Sequence, residues 1–292
     1  MKKKSFFRLT VIALAFWGLS SFQPESEWQP LLDQDLSQWD MYLSFKHTND
    51  YNGEHPLDST GNPVEPIGYS KNVNNVFSVS EENSEPILRI SGEYYGCIFT
   101  KEDYRNYHLK LKVKWGNKKW EPRKDKLLDS GVLYHSRGEC GVDYWRSWML
   151  AQEFQIMEGH MGDYWAIANS AIDVRAFPQE GMMNSIAGHS QPFISLGGDS
   201  GRNAFCIRSA DYESEKEEWT TLELICHEGQ SLHIVNGHVV MVLKNSRFFT
   251  KEGSRALDSG RIQIQSEAAE VFFKDIRIRK IEKLPLNYAE YF

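Results

Sequence analysis

Apolar residues recur along this chain at every second position far more often than at helical spacing. Leu109, Leu111, Val113 and Trp115 alternate with His108, Lys110, Lys112 and Lys114. That is the pattern of a strand with one buried face and one basic face in water. Ile262 and Ile264 alternate in the same way with Arg261, Gln263 and Gln265, and Ile276 and Ile278 with Asp275, Arg277 and Arg279. Between residues 232 and 243, Asn236-Gly237 separates two β-branched runs. Asn-Gly accepts the positive φ angles of a type I′ turn, so this segment predicts a hairpin. Further strands are predicted at 76–79, 86–91, 96–100, 130–135, 153–157, 171–175 and 219–226. Cys226 follows Leu222 and Leu224 at period two and is expected to point into the core.

Ten or more antiparallel strands, with hardly any helical pattern, predict an all-β fold: a two-sheet antiparallel β-sandwich or jelly roll. No internal repeat and no linker interrupts it, so residues 27–282 read as one domain with a short tail at 283–292. Two stretches read as long loops. Residues 40–75 are rich in Asn, Asp, Gly, Pro and Tyr, and residues 177–201 in Gly, Ser and Pro. Loops of that length in a compact domain either carry function or are family-specific insertions, and both readings stand.

The N-terminus changes the picture. Lys2, Lys3, Lys4 and Arg8 precede an apolar run at 9–19, and small residues Ser20 and Ser21 follow it. That is the layout of a signal peptide over residues 1–22 and predicts a periplasmic or secreted protein; an uncleaved anchor is the alternative. The run is short for a membrane span, and no second apolar stretch could cross one. The formal net charge is −7, and the first 22 residues hold four cations and no acid, which leaves −11 without them. Nucleic acid is not an expected partner, because phosphate contacts need clustered Lys and Arg. Cys97, Cys140, Cys206 and Cys226 show neither C-x-x-C nor zinc-ligand spacing. They fit disulfides or buried thiols equally.

Candidate chemistry is dense between residues 129 and 175. Asp129-Ser-Gly-Val-Leu-Tyr134-His135 opens the region, Trp145 and Trp148 follow, and Glu153-Phe-Gln155-Ile-Met-Glu158-Gly-His160-Met-Gly-Asp163-Tyr164-Trp165 leads on to Arg175. In a strand, Phe154 and Ile156 face the core, so Glu153 and Gln155 face the other way. Glu158 joins them only if a bulge near Met157 shifts the register. The E-x-Q-x-x-E spacing is similar to the E-x-D-x-x-E strand of laminarinase-type hydrolases, with Gln155 in place of the central acid. Tyr144, Trp145, Trp148, Tyr164 and Trp165 offer flat apolar surfaces for pyranose rings. His135 is a candidate base or metal ligand, or the hydrogen-bonded partner of a neighbouring loop. Tyr134, His160 and Asp163 are candidate substrate contacts, and Arg175 can neutralise an anionic oxygen or pair with an acid. A divalent metal ion stays open as a cofactor, since no established ligand spacing is present.

These segments resemble the 3-keto-disaccharide hydrolase domain family over about residues 27–282. The residues that carry the resemblance are Leu31-Leu-Asp-Gln-Asp-Leu-Ser-Gln-Trp39, Asp129-Ser-Gly-Val-Leu-Tyr-His135, Glu153-Phe-Gln155, and Gly260-Arg-Ile-Gln-Ile-Gln265 with Phe273-Lys-Asp-Ile-Arg277. The resemblance implies a concanavalin A-like jelly roll that cleaves 3-keto-glycosides. A C3 ketone acidifies the C2 proton, a base removes it, and the C1 substituent leaves. For that chemistry Glu158 or His135 is the expected base and Glu153 an acid/base or metal ligand. Gln155 is the expected sugar-hydroxyl anchor and Arg175 the enolate stabiliser. A glycoside or oligosaccharide is the expected substrate, and a sugar 3-oxidoreductase the expected supplier of the ketone. The alternatives are a conventional glycoside hydrolase, which needs Glu153 and Glu158 together on one face, and a non-catalytic carbohydrate-binding protein.

Overall fold

The computed structural model describes residues 26–142, 147–177, 184–198 and 204–292. Tyr144 and Trp145 lie outside the described residues, as does the expected signal peptide. The regular structure of the described residues is nearly all strand, and their one α-helix is the four-residue Leu286–Ala289.

Two layers share the hydrophobic core. The front layer runs Gly68–Tyr69, Trp39–Leu43, Gly96–Thr100, Arg261–Ser266, Asp129–Arg137, Leu150–Met157, Tyr164–Ile167 and Phe205–Ile207, each antiparallel to the next. The back layer runs Phe77–Glu82, Glu85–Ile90, Ala269–Lys280, Tyr107–Lys119, Thr220–His227, Gln230–Val235, His238–Thr250 and Ser170–Phe177, also antiparallel throughout. Strand Ser170–Phe177 links the layers. Its body pairs in the back layer, and its last two residues pair with Ser185–Ala187, which lies parallel to Phe205–Ile207 in the front layer. The antiparallel β-sandwich expected from the alternation is the fold found.

Alternation decides which side chains meet between the layers. Ile98, Val132, Tyr134, Phe154, Ile156, Ile262 and Ile264 from the front pack against Leu109, Leu111, Val113, Leu222, Leu224, Cys226, Val271 and Phe273 from the back. Lys110, Lys112 and Lys114 stay on the outer face, as their spacing predicts. Asn236 and Gly237 adopt φ of 47° and 82° between paired Val235 and His238, the two-residue I′ hairpin. Two segments read as loops contain short strands. Ser185–Ala187 and Phe193–Gly197 sit within 177–201, and Gly68–Tyr69 sits within 40–75. Their Gly- and Ser-rich sequences carry no alternation of their own; they extend because a neighbouring strand offers free backbone groups.

A buried polar chain crosses the middle of this core. The Tyr134 hydroxyl lies 3.0 Å from Ser231 Oγ and 3.3 Å from His233 Nε2, while His233 Nδ1 lies 3.1 Å from the Gly162 carbonyl. A proton on Nδ1 satisfies that carbonyl and leaves Nε2 to accept from Tyr134. Burial pushes the His233 pKa down to about 3, so the ring is neutral. Phe154 stacks on it at 4.3 Å with 13° between planes. Phe154→Ala is therefore expected to lower the unfolding free energy by about 3–5 kcal/mol, from lost burial plus the cavity left behind. Chemical denaturation measures this, and a loss below ~1 kcal/mol would show that Phe154 is not a keystone of the core.

Candidate active site

The second face of the front layer is where the polar half of the alternation collects. Phe154 and Ile156 enter the sandwich, so Glu153 and Gln155 face outward, yet both are buried. Loops and turns cover this face with Tyr95, Cys140, Trp148 and Met149, which pack on Tyr42, Cys97, Phe99, Leu133 and Ala151 of the strands. A front sheet buried on both sides has one apolar face and one face that mixes aromatics with ionisable groups.

Three carboxyls gather there. Leu133 is the cross-strand partner of Glu153, and Gly131 that of Gln155, which puts Asp129, Gly131 and Glu153 on one face of adjacent strands. Gly131 matters because of what fills its missing side chain. A Cβ at that position would collide with the carboxylate of Glu153 and the amide of Gln265, which both occupy the space above its backbone. Gln263, Gln265 and Glu267 follow one another at period two, so Glu267 reaches the same cluster just beyond strand Arg261–Ser266.

One guanidinium serves the group. Arg123 lies 2.5 Å from Asp129 and 3.9 Å from Glu267, and its Nη2 lies 3.7 Å from the sulfur of Met157. Burial disfavours the charge on Arg123, but Asp129 and Glu267 more than offset that and raise its pKa. Burial pushes Asp129 up to about 6, a shift that Arg123 restrains. Burial and the neighbouring Asp129 hold Glu153 well above the usual carboxylate range, opposed by the amide of Gln265. Glu267 is raised for the same reasons. Three acids around one cation cannot all ionise in so dry a place, so at least one keeps its proton near neutral pH. The Tyr95 hydroxyl is raised by burial and by Glu267, which places it beside the cluster. Asp129 Oδ1, Gln265 Oε1 and Arg123 Nε are buried without a hydrogen-bond partner. Buried polar atoms usually have partners, and these three leave the cluster with unused hydrogen-bonding capacity, as do the rings of His47 and His135 elsewhere in the fold.

Aromatic surfaces flank the acids. Trp165 stands directly across from Glu153 on the neighbouring strand, partly exposed, with its ring 4.5 Å from Phe205. Trp148 stacks on Tyr95 at 6.0 Å and donates its indole N–H to the Gly96 carbonyl at 3.0 Å. His47 is sandwiched between Tyr51 at 3.7 Å and Tyr95 at 4.0 Å.

Most of the remaining residues singled out from the sequence lie elsewhere, while His160 is near enough to Asp129 to lower its pKa. No register shift falls near Met157, so Glu158 stays on the face opposite Glu153; its carboxylate accepts from the Leu128 N–H at 3.4 Å and lies 3.8 Å from Lys216 Nζ. His135 has φ 55° where the strand is bulged against Arg261–Ser266, and it turns into a pocket with Tyr134 at 5.2 Å and Tyr107 at 6.1 Å. Burial lowers its pKa to about 4. Arg175, on the linking strand, donates to the carbonyls of Gln191 and Tyr291 and caps the Phe193 ring at 4.4 Å. Tyr134 belongs to the central core, and the Tyr164 hydroxyl donates to Gln152 at 2.6 Å inside the fold. Asp163 is fully buried between His160 at 3.1 Å and Arg208 at 3.3 Å, where it fastens a turn. Of the residues picked out for chemistry, Glu153, Gln155, Trp148 and Trp165 share the acidic face. Arg123, Asp129, Gln265, Glu267 and Tyr95 complete it without having been selected as site residues from sequence. Period-two spacing from Gln263 was a usable signal for Gln265 and Glu267. Arg123 sits in an irregular segment and gave none.

Among the described residues, no group of three or more His, Cys, Asp or Glu is arranged to hold a metal ion. An open cleft of about 250 Å³ lies on the outer face of the back layer, lined by Ser80, Glu82, Ile87, Lys114, Trp219 and Phe272, away from the carboxyls.

Among solved structures, the chain is similar to a putative glycosyl hydrolase from Parabacteroides distasonis, at 16% identity over 87% of this chain and 100% of that one, with a TM-score of 0.46. It is also similar to LamA from Z. galactanivorans in complex with laminaritriose and laminaritetraose, at 11% identity over 84% and 93% of the two chains, TM-score 0.44. The carbohydrate binding module CBM66 from Bacillus subtilis is matched at 9% identity over 70% and 92%, TM-score 0.38. No curated protein matches the chain. The family model described as the 3-keto-alpha-glucoside-1,2-lyase-like domain matches residues 27–279, and the chain belongs to that carbohydrate-active family.

Proposed function

We propose that this protein is an exported enzyme that cleaves the glycosidic bond of 3-keto-glycosides by removing the C2 proton and expelling the C1 substituent. The observation that carries this reading is a buried cluster in which Arg123 pairs with Asp129 and Glu267 while Glu153 lies beside Asp129, with buried polar atoms that have no protein partner. Elimination needs a base, an acid and a fixed positive charge within one sugar ring of each other. Asp129, with a pKa near 6, is ionised at neutral pH and takes the C2 proton. The electron pair moves onto the C3 oxygen, where Arg123 stabilises the enolate. As the C1–O bond breaks, Glu153, held protonated by burial, gives its proton to the departing oxygen. Water adding to the resulting alkene completes a net hydrolysis. Trp165, partly exposed across from Glu153, supplies apolar surface for a ring, and Gln155 anchors a hydroxyl.

The separation of Glu153 from Glu158 favours this route over conventional retaining hydrolysis, which needs two carboxyls about 5–5.5 Å apart on the same side of the sugar. Glu158 points to the opposite face, against Lys216.

Turnover of a 3-keto-glucoside and its unoxidised parent, measured side by side with and without a chelator, tests the proposal. Cleavage of the keto-sugar alone is expected; cleavage of the parent at a comparable rate refutes elimination. Glu153→Gln and Asp129→Asn are each expected to lower kcat about 10²–10⁴-fold while circular dichroism stays unchanged. Unchanged turnover in both would remove the carboxyls from the mechanism.

The acid limb of the pH profile is a second expectation. kcat/KM should rise with pH through about 6 as Asp129 loses its proton. Asp129→Asn should abolish that limb in whatever activity remains.

Stability gives a third, independent of catalysis. Glu153 stays protonated in the folded protein at a pH where the unfolded chain has already released the proton, since burial raises it from 4.5. The folded state therefore binds more protons, and this group's contribution, fully present below about pH 4.5, is lost as pH rises. Glu153→Gln removes that loss, so its Tm advantage over the wild type should grow from acid to alkaline pH. A difference independent of pH would show that Glu153 is not held protonated.

A further inference from the structure

The front layer also holds a pair of thiols in contact. Cys97, on strand Gly96–Thr100, and Cys140, in the segment after strand Asp129–Arg137, bring their sulfurs to 3.7 Å. Both side chains are buried, in the same cluster as Trp148, Met149 and Tyr95. Gln263 bridges the group: its Nε2 lies 3.1 Å from the Cys97 sulfur and 3.6 Å from that of Cys140, and its Oε1 accepts the Met149 N–H at 3.3 Å. The Cys140 N–H donates to the Tyr69 hydroxyl at 2.7 Å, and at Gly141 (φ 81°) the Tyr42 hydroxyl occupies the space a Cβ would take. The backbone around Cys140 is therefore held from several sides, with its sulfur aimed at Cys97.

We infer that Cys97 and Cys140 are joined by a disulfide in the oxidised protein, and that this bond ties the turn that carries Cys140 to the sheet that carries the carboxyl cluster. The sulfurs already touch at 3.7 Å, against a covalent distance of about 2.05 Å. The oxidant is a disulfide compound, either a small one such as oxidised glutathione or a dithiol–disulfide oxidoreductase. The thiolate of one cysteine attacks a sulfur of the oxidant, forming a mixed disulfide and releasing one thiol. The second cysteine, losing its proton, attacks its partner's sulfur and displaces the other thiol. The two cysteines lose two electrons and two protons, and the oxidant's disulfide is reduced to two thiols. With both sulfurs buried in the folded protein, the exchange takes place during folding, before the segment packs. Cys206 and Cys226 lie in separate clusters and remain thiols.

The test uses the full chain, refolded from denaturant in a mixture of reduced and oxidised glutathione. Thiols are then counted in the denatured, alkylation-free protein. Two of the four cysteines are expected to react, and all four after dithiothreitol. Non-reducing peptide mapping should find residues 97 and 140 in one linked peptide pair. Reduction should lower the Tm of the wild type by several degrees and leave that of a Cys97→Ser/Cys140→Ser double variant unchanged. Four reactive thiols after oxidative refolding, or a linkage joining any other pair, would overturn the inference. If the double variant does not fold, the peptide map of the wild type decides the question alone.

Discussion

The constraint on which the rest depends is that the front sheet is buried on both faces. A strand in such a sheet must place every side chain out of water, and its alternation sends half of them to each side. Along Leu150–Met157 this puts Phe154 and Ile156 into the sandwich and Glu153 and Gln155 into a second dry layer. The apolar half supplies the stability. The polar half is a set of ionisable groups that the stability of the other half holds in place.

Holding them there has an electrostatic consequence. Asp129 and Glu267 share one guanidinium, Glu153 lies beside Asp129, and burial acts on each carboxyl to disfavour its charge. Their environments shift the carboxyls unequally, with Asp129 raised to about 6 and Glu153 held well above its ordinary carboxylate range. Proton transfer in both directions becomes available within one site. The cost is unpartnered buried polar atoms and an acid that destabilises the fold as pH rises. Such costs concentrate where a protein binds and transforms ligands, because a site satisfied by its own side chains has nothing left for a substrate.

Gly131 connects these two levels. In a strand a glycine loses packing and stiffness, yet here its bare backbone gives Glu153 and Gln265 the volume in which they converge. The Asp129-Ser-Gly131 run, which carries part of the family resemblance, thus has a physical meaning. One residue brings a carboxyl, and the next on the same face brings an absence. Membership of the 3-keto-alpha-glucoside-1,2-lyase-like family fits a face that combines acids, one fixed cation and indole rings.

Much of this was legible in the chain. Period-two spacing determines the strands and which of their side chains face the core, because a pleated strand has no other way to arrange its side chains. Asn236-Gly237 determines its hairpin because two positive φ angles are cheap there. The same spacing puts Glu153 and Gln155 together, away from Phe154 and Ile156. Tertiary structure alone decided the partners. Arg123, in an irregular segment just before Asp129, meets Glu267 only through strand pairing far apart in sequence, while a bulge turned His135 away and unbroken register carried Glu158 to the other face. Short strands in the Gly- and Ser-rich segments also exist only because a neighbouring edge pairs with them. Alternation is a local property of the backbone, whereas convergence of charge depends on which distant strands lie side by side.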